Sequence, residues 1–314
     1  MNAIFETEKK AGRPAAEKSA VRHKLGEWSY RLRRVAWACE DFILDRLKSP
    51  IAAPGFPVMA TSVPKSGTHL LIEALKNLGV FTRRPLMLDP YRPVRVYRGP
   101  LGRMACNRFA WGHVGASDEA VRMVFDLGIR VILVLRDPRD VVVSFMDHVS
   151  RLRVHALGAY YGSLPSEEAR LIAAIRGAPA DVYHRDPALA AAGVYDQYTG
   201  YADIGTVYRC YLRWVRMPNV VSVCFEDLVG ERGGGSRELQ FKTLKKIVSF
   251  LGLNYPDSRI SEIGSKIFST TASTFNQGVR CRWKSAFTEP VKRAFKAVGS
   301  VELIEMGYEQ DSNW

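Results

Sequence analysis

The chain has 314 residues, which is enough for one large α/β domain or two small ones around a buried core. Of these residues 47% are hydrophobic and 25% charged, and no apolar stretch approaches the ~20 residues of a transmembrane helix, so no transmembrane helix is expected. The net charge of +13 favours an anionic partner, whether nucleotide, acidic glycan, nucleic acid or anionic membrane.

The cysteines are odd in number, widely scattered and never arranged as Cys-x-x-Cys; they are Cys39, Cys106, Cys210, Cys224 and Cys281. This pattern predicts neither a disulfide framework nor a zinc site, and it favours a reducing compartment. The first residues also lack the apolar core of a signal peptide. We therefore expect a cytoplasmic protein without a bound metal.

Residues 1–25 are polar, charged and rich in alanine, which predicts a disordered tail. Residues 26–50 are predicted to form an amphipathic helix, because apolar side chains from Trp28 to Leu47 recur on one face and the arginines lie largely off it. Such a helix either packs on its own domain or lies peripherally on the inner face of a membrane, and both alternatives stay open. Residues 51–314 are predicted to form one domain.

A strand, a tight turn and a helix follow one another from Val58 to Leu78. The run from Val58 to Val63 is too short for a buried helix and is rich enough in β-branched residues for a strand. Leucines at helical spacing follow the turn, and Gly79 is a suitable stop. The helix entrance carries Lys65, Ser66 and Thr68, and free N–H groups there favour an anion, usually phosphate.

The next segments continue the alternation of strands and helices. Residues 81–110 are predicted to be irregular with one short strand, and residues 109–115 to be a strand end that enters a loop. A helix is predicted over 118–127, where Gly128 stops it, followed by a strand over 130–135. That strand is almost purely apolar, which indicates a central parallel strand covered on both faces. Pro138 suits the first turn of the helix that follows.

The second half of the chain is less regular. Residues 150–216 contain many tyrosines and are predicted to be helices and long loops that form a lid or acceptor pocket rather than sheet core. A strand over 219–225, a flexible turn at 233–235, a helix over 239–251 and a tail of short helices complete the chain. The alternation predicts a single α/β domain with a central parallel sheet flanked by helices.

A second candidate phosphate site begins at Arg136, where the strand over 130–135 ends. Ser144 lies eight residues later, in the helix that the strand feeds. In α/β folds a strand end and the helix after it face one crevice at the carboxyl edge of the sheet. A guanidinium fork with a nearby hydroxyl suits a phosphate group.

The segment from Pro64 to Thr68, Pro-Lys-Ser-Gly-Thr, resembles the 5′-phosphosulfate loop of the sulfotransferases, which use 3′-phosphoadenosine 5′-phosphosulfate (PAPS) and release PAP. The pair Arg136 and Ser144 is similar to the family's 3′-phosphate segment. The resemblance implies a P-loop-like fold with PAPS as cofactor. It implies a 5′-phosphosulfate site formed by Lys65, Ser66, Gly67, Thr68, His69 and Leu70.

Two looser matches follow in the family's order. Phe225-Glu-Asp-Leu resembles a family Tyr-Glu-Asp-Leu, so Phe225 is expected at the nucleotide without the tyrosine hydroxyl. Residues 274–284 resemble the lid over the nucleotide, which implies roles for Gln277, Gly278 and Arg280. Asn-Gln replaces the family's Arg-Lys there, and Arg280 with Arg282 could substitute from neighbouring positions. His69 and Leu70 replace a Thr-Trp pair whose Trp stacks on adenine.

The catalytic residues implied by the resemblance are His113 and Lys65. His113, in Trp-Gly-His between the two phosphate motifs, occupies the place of the family's general base, while His69 and His148 are the alternatives. Lys65 would neutralise the leaving phosphate oxygen almost alone, because Trp111 replaces a family lysine. A neutral imidazole is required, so the rate should rise with pH through a pKa of about 6–7.

Two other functions are compatible with parts of the sequence. An ATP-dependent P-loop kinase would need Gly-Lys-[Ser/Thr] and an acidic Mg²⁺ ligand at a strand end, yet the relevant strand ends in Arg136. A non-enzymatic binder of anionic polymer or nucleic acid would need clustered basic patches, whereas the arginines are dispersed. We expect the acceptor to present a hydroxyl or an amine. A carbohydrate or lipid-linked glycan is favoured over a phenolic small molecule. The oligomeric state stays open.

Overall fold

The fold is described from a computed structural model, which describes residues 52–89, 92–151, 157–183, 195–268 and 278–314. The predicted tail (1–25), the predicted amphipathic helix (26–50) and Gln277 lie outside the described residues. So do His23, His155 and His184. Residues Ser49–Trp314 form one compact unit.

Five parallel strands form the sheet: β1 (Val58–Ser62), β2 (Leu86–Leu88), β3 (Phe109–Gly112), β4 (Arg130–Leu135) and β5 (Val220–Cys224). Their order is β2-β3-β1-β4-β5, so β1 is central and pairs with β3 on one side and β4 on the other. The carboxyl ends of all five strands therefore lie at one edge. This arrangement confirms the predicted α/β fold with a parallel sheet flanked by helices.

Helices follow most strands and cover both faces of the sheet. The described α-helices are α1 (Thr68–Asn77), α2 (Arg98–Gly102), α3 (Asp118–Asp126), α4 (Pro138–Arg151), α5 (Gly158–Ser163), α6 (Glu167–Arg176), α7 (Ala180–Tyr183), α8 (Ile204–Val215), α9 (Phe225–Leu228), α10 (Arg237–Phe250), α11 (Asp257–Lys266), α12 (Trp283–Ala286) and α13 (Glu289–Glu305). Within the described ranges no helix combines the length and the apolar character needed to cross a membrane.

The core has two parts, one on each face of the sheet. Along β4, Leu133 belongs to the cluster that includes α4, α8 and α13, while Ile132 and Val134 belong to the cluster that includes α1, α10 and α11. Because successive strand residues point to opposite faces, a strand buried on both sides must be apolar throughout. This double burial explains the uninterrupted apolar run of β4.

The expectation that residues 150–216 lie outside the sheet core is wrong for α8 and part of α5. Tyr161, Tyr208, Tyr211 and Trp214 are at most 1% exposed and belong to the main core cluster. Their polar tips are satisfied: the Tyr161 hydroxyl donates to the Gly200 carbonyl at 2.9 Å, for example. Large aromatic residues with a polar tip can be buried fully when that tip finds a partner.

The C-terminal tail also differs from its prediction of short helices. α13 has 17 residues, more than any other helix in the described part of the chain. Its buried face includes Val291, Phe295 and Leu303. Packing of this face stabilises a longer helix than intrinsic helix propensity alone would support.

The turn at Gly233–Gly235 is packed rather than a flexible surface turn. Gly233 is buried, and a Cβ placed on it would lie 2.5 Å from the Gly278 carbonyl oxygen. The Arg280 N–H donates to the Gly233 carbonyl at 3.4 Å. The glycine run therefore lets two backbone segments approach closely, which a residue with a side chain would prevent.

Candidate active site

The loop between β1 and α1 is held in an unusual backbone conformation. The Ser66 N–H donates to the Val63 carbonyl at 3.1 Å, which closes a tight turn directly after β1. Lys65 has a φ of 74° and Gly67 a φ of 102°, both in the left-handed region. A lysine in this region is strained, and such strain tends to be retained at functional sites.

The N-terminus of α1 leaves its N–H groups available. Gly67 is the N-cap residue and has no side chain to cap the helix, and the first turn contains no acidic residue. The Ser66 hydroxyl oxygen is buried and makes no hydrogen bond of normal geometry within the described part of the chain, although the Tyr208 side chain lies near enough to interact with it. A buried polar group without a partner is costly unless a ligand satisfies it. The loop therefore fits an anionic group at this helix end.

Phe225, the first residue after β5, packs beneath the loop. A Cβ placed on Gly67 would lie 2.6 Å from its ring. The same ring supports the Arg136 guanidinium, whose central carbon lies 4.3 Å from the ring centroid. Phe225 is buried, and its ring packs against the guanidinium of Arg136.

Arg136 connects the loop to the segment that begins at Gly278. Its side chain is buried and donates through Nη1 to the Lys65 carbonyl at 3.3 Å and through Nη2 to the Val279 carbonyl at 2.8 Å. The Nε atom is also buried and has no partner among the described residues. The two motifs predicted from the sequence thus meet where Arg136 bonds the Lys65 carbonyl, and each motif has one buried polar atom, Ser66 Oγ or Arg136 Nε, without a hydrogen-bond partner among the described residues.

The other predicted nucleotide residues differ in burial and in the groups they contact. Ser144 is buried on α4, and the Thr68 hydroxyl lies 2.5 Å from the Ser62 hydroxyl. Leu70 is partly buried and packs against the core cluster that contains α1. The His69 ring lies 5.8 Å from the Trp111 ring.

Gly278 and Arg280 belong to the segment that reaches Arg136 through Val279. Gly278 has a φ of 63° and packs against Gly233. Arg280 is exposed, and its pKa is raised by a hydrogen bond with the Cys281 side chain and by the nearby carboxylates of Glu226 and Asp227. These contacts do not bring the Arg280 side chain to Arg136. Arg282 pairs with Asp147 on α4 at 2.6 Å.

His113 follows β3 and is oriented by the end of β1. Its Nδ1 lies 2.9 Å from the Ser62 carbonyl oxygen. A carbonyl can only accept, so Nδ1 carries the proton and Nε2 has a free lone pair. The pKa of His113 is lowered to about 4, mainly by burial and less by the charges of Lys65 and His69, although the Ser62 hydrogen bond acts in the opposite direction. The expected pKa of about 6–7 is therefore corrected downwards, because desolvation of the partly buried ring disfavours the imidazolium.

The loop after His113 is anchored by groups that sequence reasoning did not identify. The Tyr198 hydroxyl donates to the His113 carbonyl at 3.2 Å, and Trp214 Nε1 donates to the Val114 carbonyl at 2.9 Å. The Gly115 N–H donates to the Gln197 side chain at 2.8 Å. These partners lie 82 to 100 residues away along the chain, and no local sequence pattern links them to the loop after His113.

Lys65 has an unusual electrostatic environment. Its pKa is lowered from 10.5 to about 8, mainly by burial and also by the positive charges of Arg151 and Arg136, while Asp147 acts in the opposite direction. Since Lys65 also lowers the pKa of His69 and His113, the three groups form one electrostatic cluster. The arrangement offers a cation and a neutral base at the end of β1.

Comparison with known proteins agrees with this geometry. Residues 57–305 match the sulfotransferase domain family. Among solved structures, mouse sulfotransferase SULT7A1 complexed with PAP is 17% identical, covers 81% of this chain and 87% of its own, and has a TM-score of 0.53. Retinol dehydratase in complex with androsterone and the inactive cofactor PAP is 14% identical, with coverages of 81% and 82% and a TM-score of 0.50.

No curated protein gave a match to this chain. The structural similarities, at these low identities, concern the fold. The family match covers most of the chain and decides against the kinase and polymer-binder alternatives. The chain therefore belongs to the sulfotransferase domain family, and the prediction of a PAPS-dependent sulfotransferase is confirmed.

Proposed function

We propose that the enzyme transfers a sulfuryl group from PAPS to a hydroxyl or amine, with His113 as the general base and Lys65 at the leaving oxygen. The observation that carries this proposal is that the end of β1 positions both His113 and Lys65. Ser62 accepts the His113 Nδ1 proton at 2.9 Å, and the turn that holds Lys65 begins at the next residue. Base and cation are thus held by one rigid strand end, as catalysis requires.

For the nucleotide, we propose two phosphate subsites. Lys65, Ser66, Gly67 and Thr68 surround the 5′-phosphosulfate, and Arg136 with Ser144 binds the 3′-phosphate. The buried Ser66 Oγ and Arg136 Nε, which have no hydrogen-bond partner in the described ranges, support this assignment, because each could donate a hydrogen bond to a bound anion. The PAP in both similar structures supports the choice of nucleotide.

When bound, PAPS supplies a sulfuryl group on a phosphate leaving group. His113 holds its Nδ1 proton on the Ser62 carbonyl and accepts the acceptor's proton at Nε2. Lys65 carries positive charge to the place where negative charge develops, and the N–H groups of α1 add to it. His69 lies beside Trp111 and would border the same space.

For the acceptor, we propose a small molecule that presents its hydroxyl from a flat apolar face. The aromatic rings near the base support this class: the Tyr198 ring meets the His113 ring edge-on at 6.3 Å, and Trp111 faces His69. Flat rings pack well against aromatic side chains. The androsterone bound to retinol dehydratase also supports a small molecule. A carbohydrate or lipid-linked glycan is the competing class.

The test is transfer of label from sulfur-labelled PAPS to alcohols, phenols, sugars and amines, with His113→Ala and wild type in parallel. Turnover in His113→Ala should fall by roughly 10²–10⁴, while PAP affinity stays close to wild type, since the base contacts the acceptor. The His69→Ala variant is the matched control for loss of a neighbouring imidazole. If His113→Ala keeps most of its activity and His69→Ala does not, the base is His69.

We propose a cytoplasmic location, with peripheral membrane contact through residues 28–47 as the competing idea. Co-sedimentation with anionic liposomes, with and without residues 1–48, separates the two. Equal pelleting of both chains would end the membrane proposal.

A further inference from the structure

Asp140 is a buried carboxylate next to Arg136 that takes no part in the chemistry described above. Its side chain is 1% exposed. Oδ2 accepts the Cys281 N–H at 2.7 Å, and Oδ1 accepts the Trp283 N–H at 3.0 Å. Oδ2 also forms an ion pair with Arg136 Nη2 at 3.5 Å. One carboxylate therefore contacts both the guanidinium and the segment that covers it.

These contacts fix the backbone of residues 278–283. Cys281 has a φ of 61°, which is uncommon for a residue other than glycine, and its N–H is bonded to Asp140. Two residues earlier, the Val279 carbonyl accepts from Arg136 Nη2 at 2.8 Å. The position of this carbonyl, and with it the orientation of the Arg136 fork, depends on the anchor that Asp140 provides.

We propose that Asp140 is a positioning residue for recognition of the 3′-phosphate. Asp140 anchors residues 281–283 to α4 and thereby keeps the Val279 carbonyl within hydrogen-bonding distance of Arg136 Nη2. The Nε atom of Arg136 is then left to bind the phosphate. This inference rests on the proposed function, in which the 3′-phosphate binds at Arg136.

Charge alone predicts the opposite effect of removing Asp140. A carboxylate beside Arg136 repels a bound phosphate, so neutralising it without any structural change would strengthen PAP binding. Loss of positioning weakens PAP binding instead, because an amide side chain cannot accept both backbone N–H groups as a carboxylate does. The sign of the change therefore distinguishes a positioning residue from a simple counter-ion.

The experiment is calorimetry of Asp140→Asn with PAP and with adenosine 5′-phosphate, which lacks the 3′-phosphate. We expect the ratio of the two affinities to fall by about tenfold, the loss typical of a misaligned charge-assisted contact, with little change for adenosine 5′-phosphate. The matched control is Asp147→Asn, the same substitution two turns later on α4. Asp147 pairs with Arg282 of the same segment and influences Lys65, so any change should affect both nucleotides equally.

An unchanged or increased preference for PAP in Asp140→Asn would overturn the proposal. So would an equal loss of that preference in Asp147→Asn, which would mean that any loosening of the segment suffices. If Asp140→Asn does not fold, Asp140→Glu makes the same test, since it keeps the charge and displaces the acceptor oxygens. Wild-type protein that binds both nucleotides equally would instead refute the 3′-phosphate site itself.

Discussion

The lowered pKa of Lys65 predicts that nucleotide use declines in mildly alkaline solution. In its proposed role Lys65 must be protonated to stabilise the leaving oxygen, and its pKa in the free enzyme is lowered to about 8 by burial and by Arg151 and Arg136. At pH 7 about 90% of the molecules carry the charge, and at pH 9 about 10% do. The kcat/KM for PAPS should therefore fall as pH rises through about 8, approaching tenfold per pH unit above it.

On the acid side the rate should be nearly flat down to low pH. The proposed base must be neutral, and the pKa of His113 is lowered to about 4. As far as the base controls it, the rate therefore rises with pH through about 4, well below the window of about 6–7 expected for an exposed imidazole. Between these two limits we expect a plateau that spans neutral pH.

The assay is the initial rate at low PAPS from pH ~5 to ~10, with an alcohol as acceptor because its hydroxyl does not titrate in this range. The second ionisation of a phosphate, near pKa ~6, lies below the alkaline limb. Lys65→Arg is the matched variant: its guanidinium stays charged throughout, so the limb should vanish although the rate is lower. A wild-type rate that is level to pH ~10, or a limb that persists in Lys65→Arg, would refute the assignment.

Three further substitutions test the site. Arg136→Ala should lower PAP affinity at least about tenfold by calorimetry, and unchanged binding in a folded variant would remove Arg136 from the site. Gly67→Ala would place a Cβ 2.6 Å from an aromatic ring at a φ of 102°, so the Tm and the PAP affinity of this variant should fall. Gly128→Ala is the control, because Gly128 also has a positive φ, of 60°, but its added Cβ would contact nothing, and the losses there should be smaller. Tyr198→Phe removes the bond to the His113 carbonyl and should reduce kcat several-fold at unchanged PAP affinity; equal kcat would show that this bond does not position the base.

Local patterns were sufficient to predict the elements that carry the site. β4 was predicted with the bounds that the structure has, because burial on both faces requires an apolar run and Gly128 and Asp137 interrupt it at either end. The start of α4 at Pro138 and the end of α1 before Gly79 follow from backbone restrictions of proline and glycine.

The contacts that complete the site were not predictable in the same way. Asp140 lies between Arg136 and Ser144, which form the predicted 3′-phosphate segment, yet its partners Cys281 and Trp283 lie about 140 residues away, and backbone N–H groups carry no residue signature. Ser62 acts through its carbonyl, which every residue possesses. The roles of such residues arise from tertiary approach, which periodicity and propensity do not encode.

The segment rich in tyrosine was misassigned for a related reason. A tyrosine is equally suited to a pocket wall and to a core position, and the choice depends on whether its hydroxyl finds a partner. The Tyr208 hydroxyl donates to the Arg136 carbonyl at 2.7 Å, which makes full burial acceptable and also supports the site from beneath. Tyr198, in contrast, is only partly buried and contacts the proposed base.

The choice of a carbonyl rather than a carboxylate as the partner of His113 has a chemical consequence. A carboxylate at Nδ1 would stabilise the imidazolium and raise the pKa of His113, whereas the Ser62 carbonyl fixes the tautomer without adding charge. The proposed base is therefore neutral across physiological pH, but it is weak, and a weak base removes a proton only when the bond to the acceptor is already forming. With these proposed roles, much of the barrier must be lowered at the leaving oxygen, by Lys65 and the N–H groups of α1. The pH dependence of the rate near neutral pH should accordingly follow the titration of Lys65 rather than that of His113.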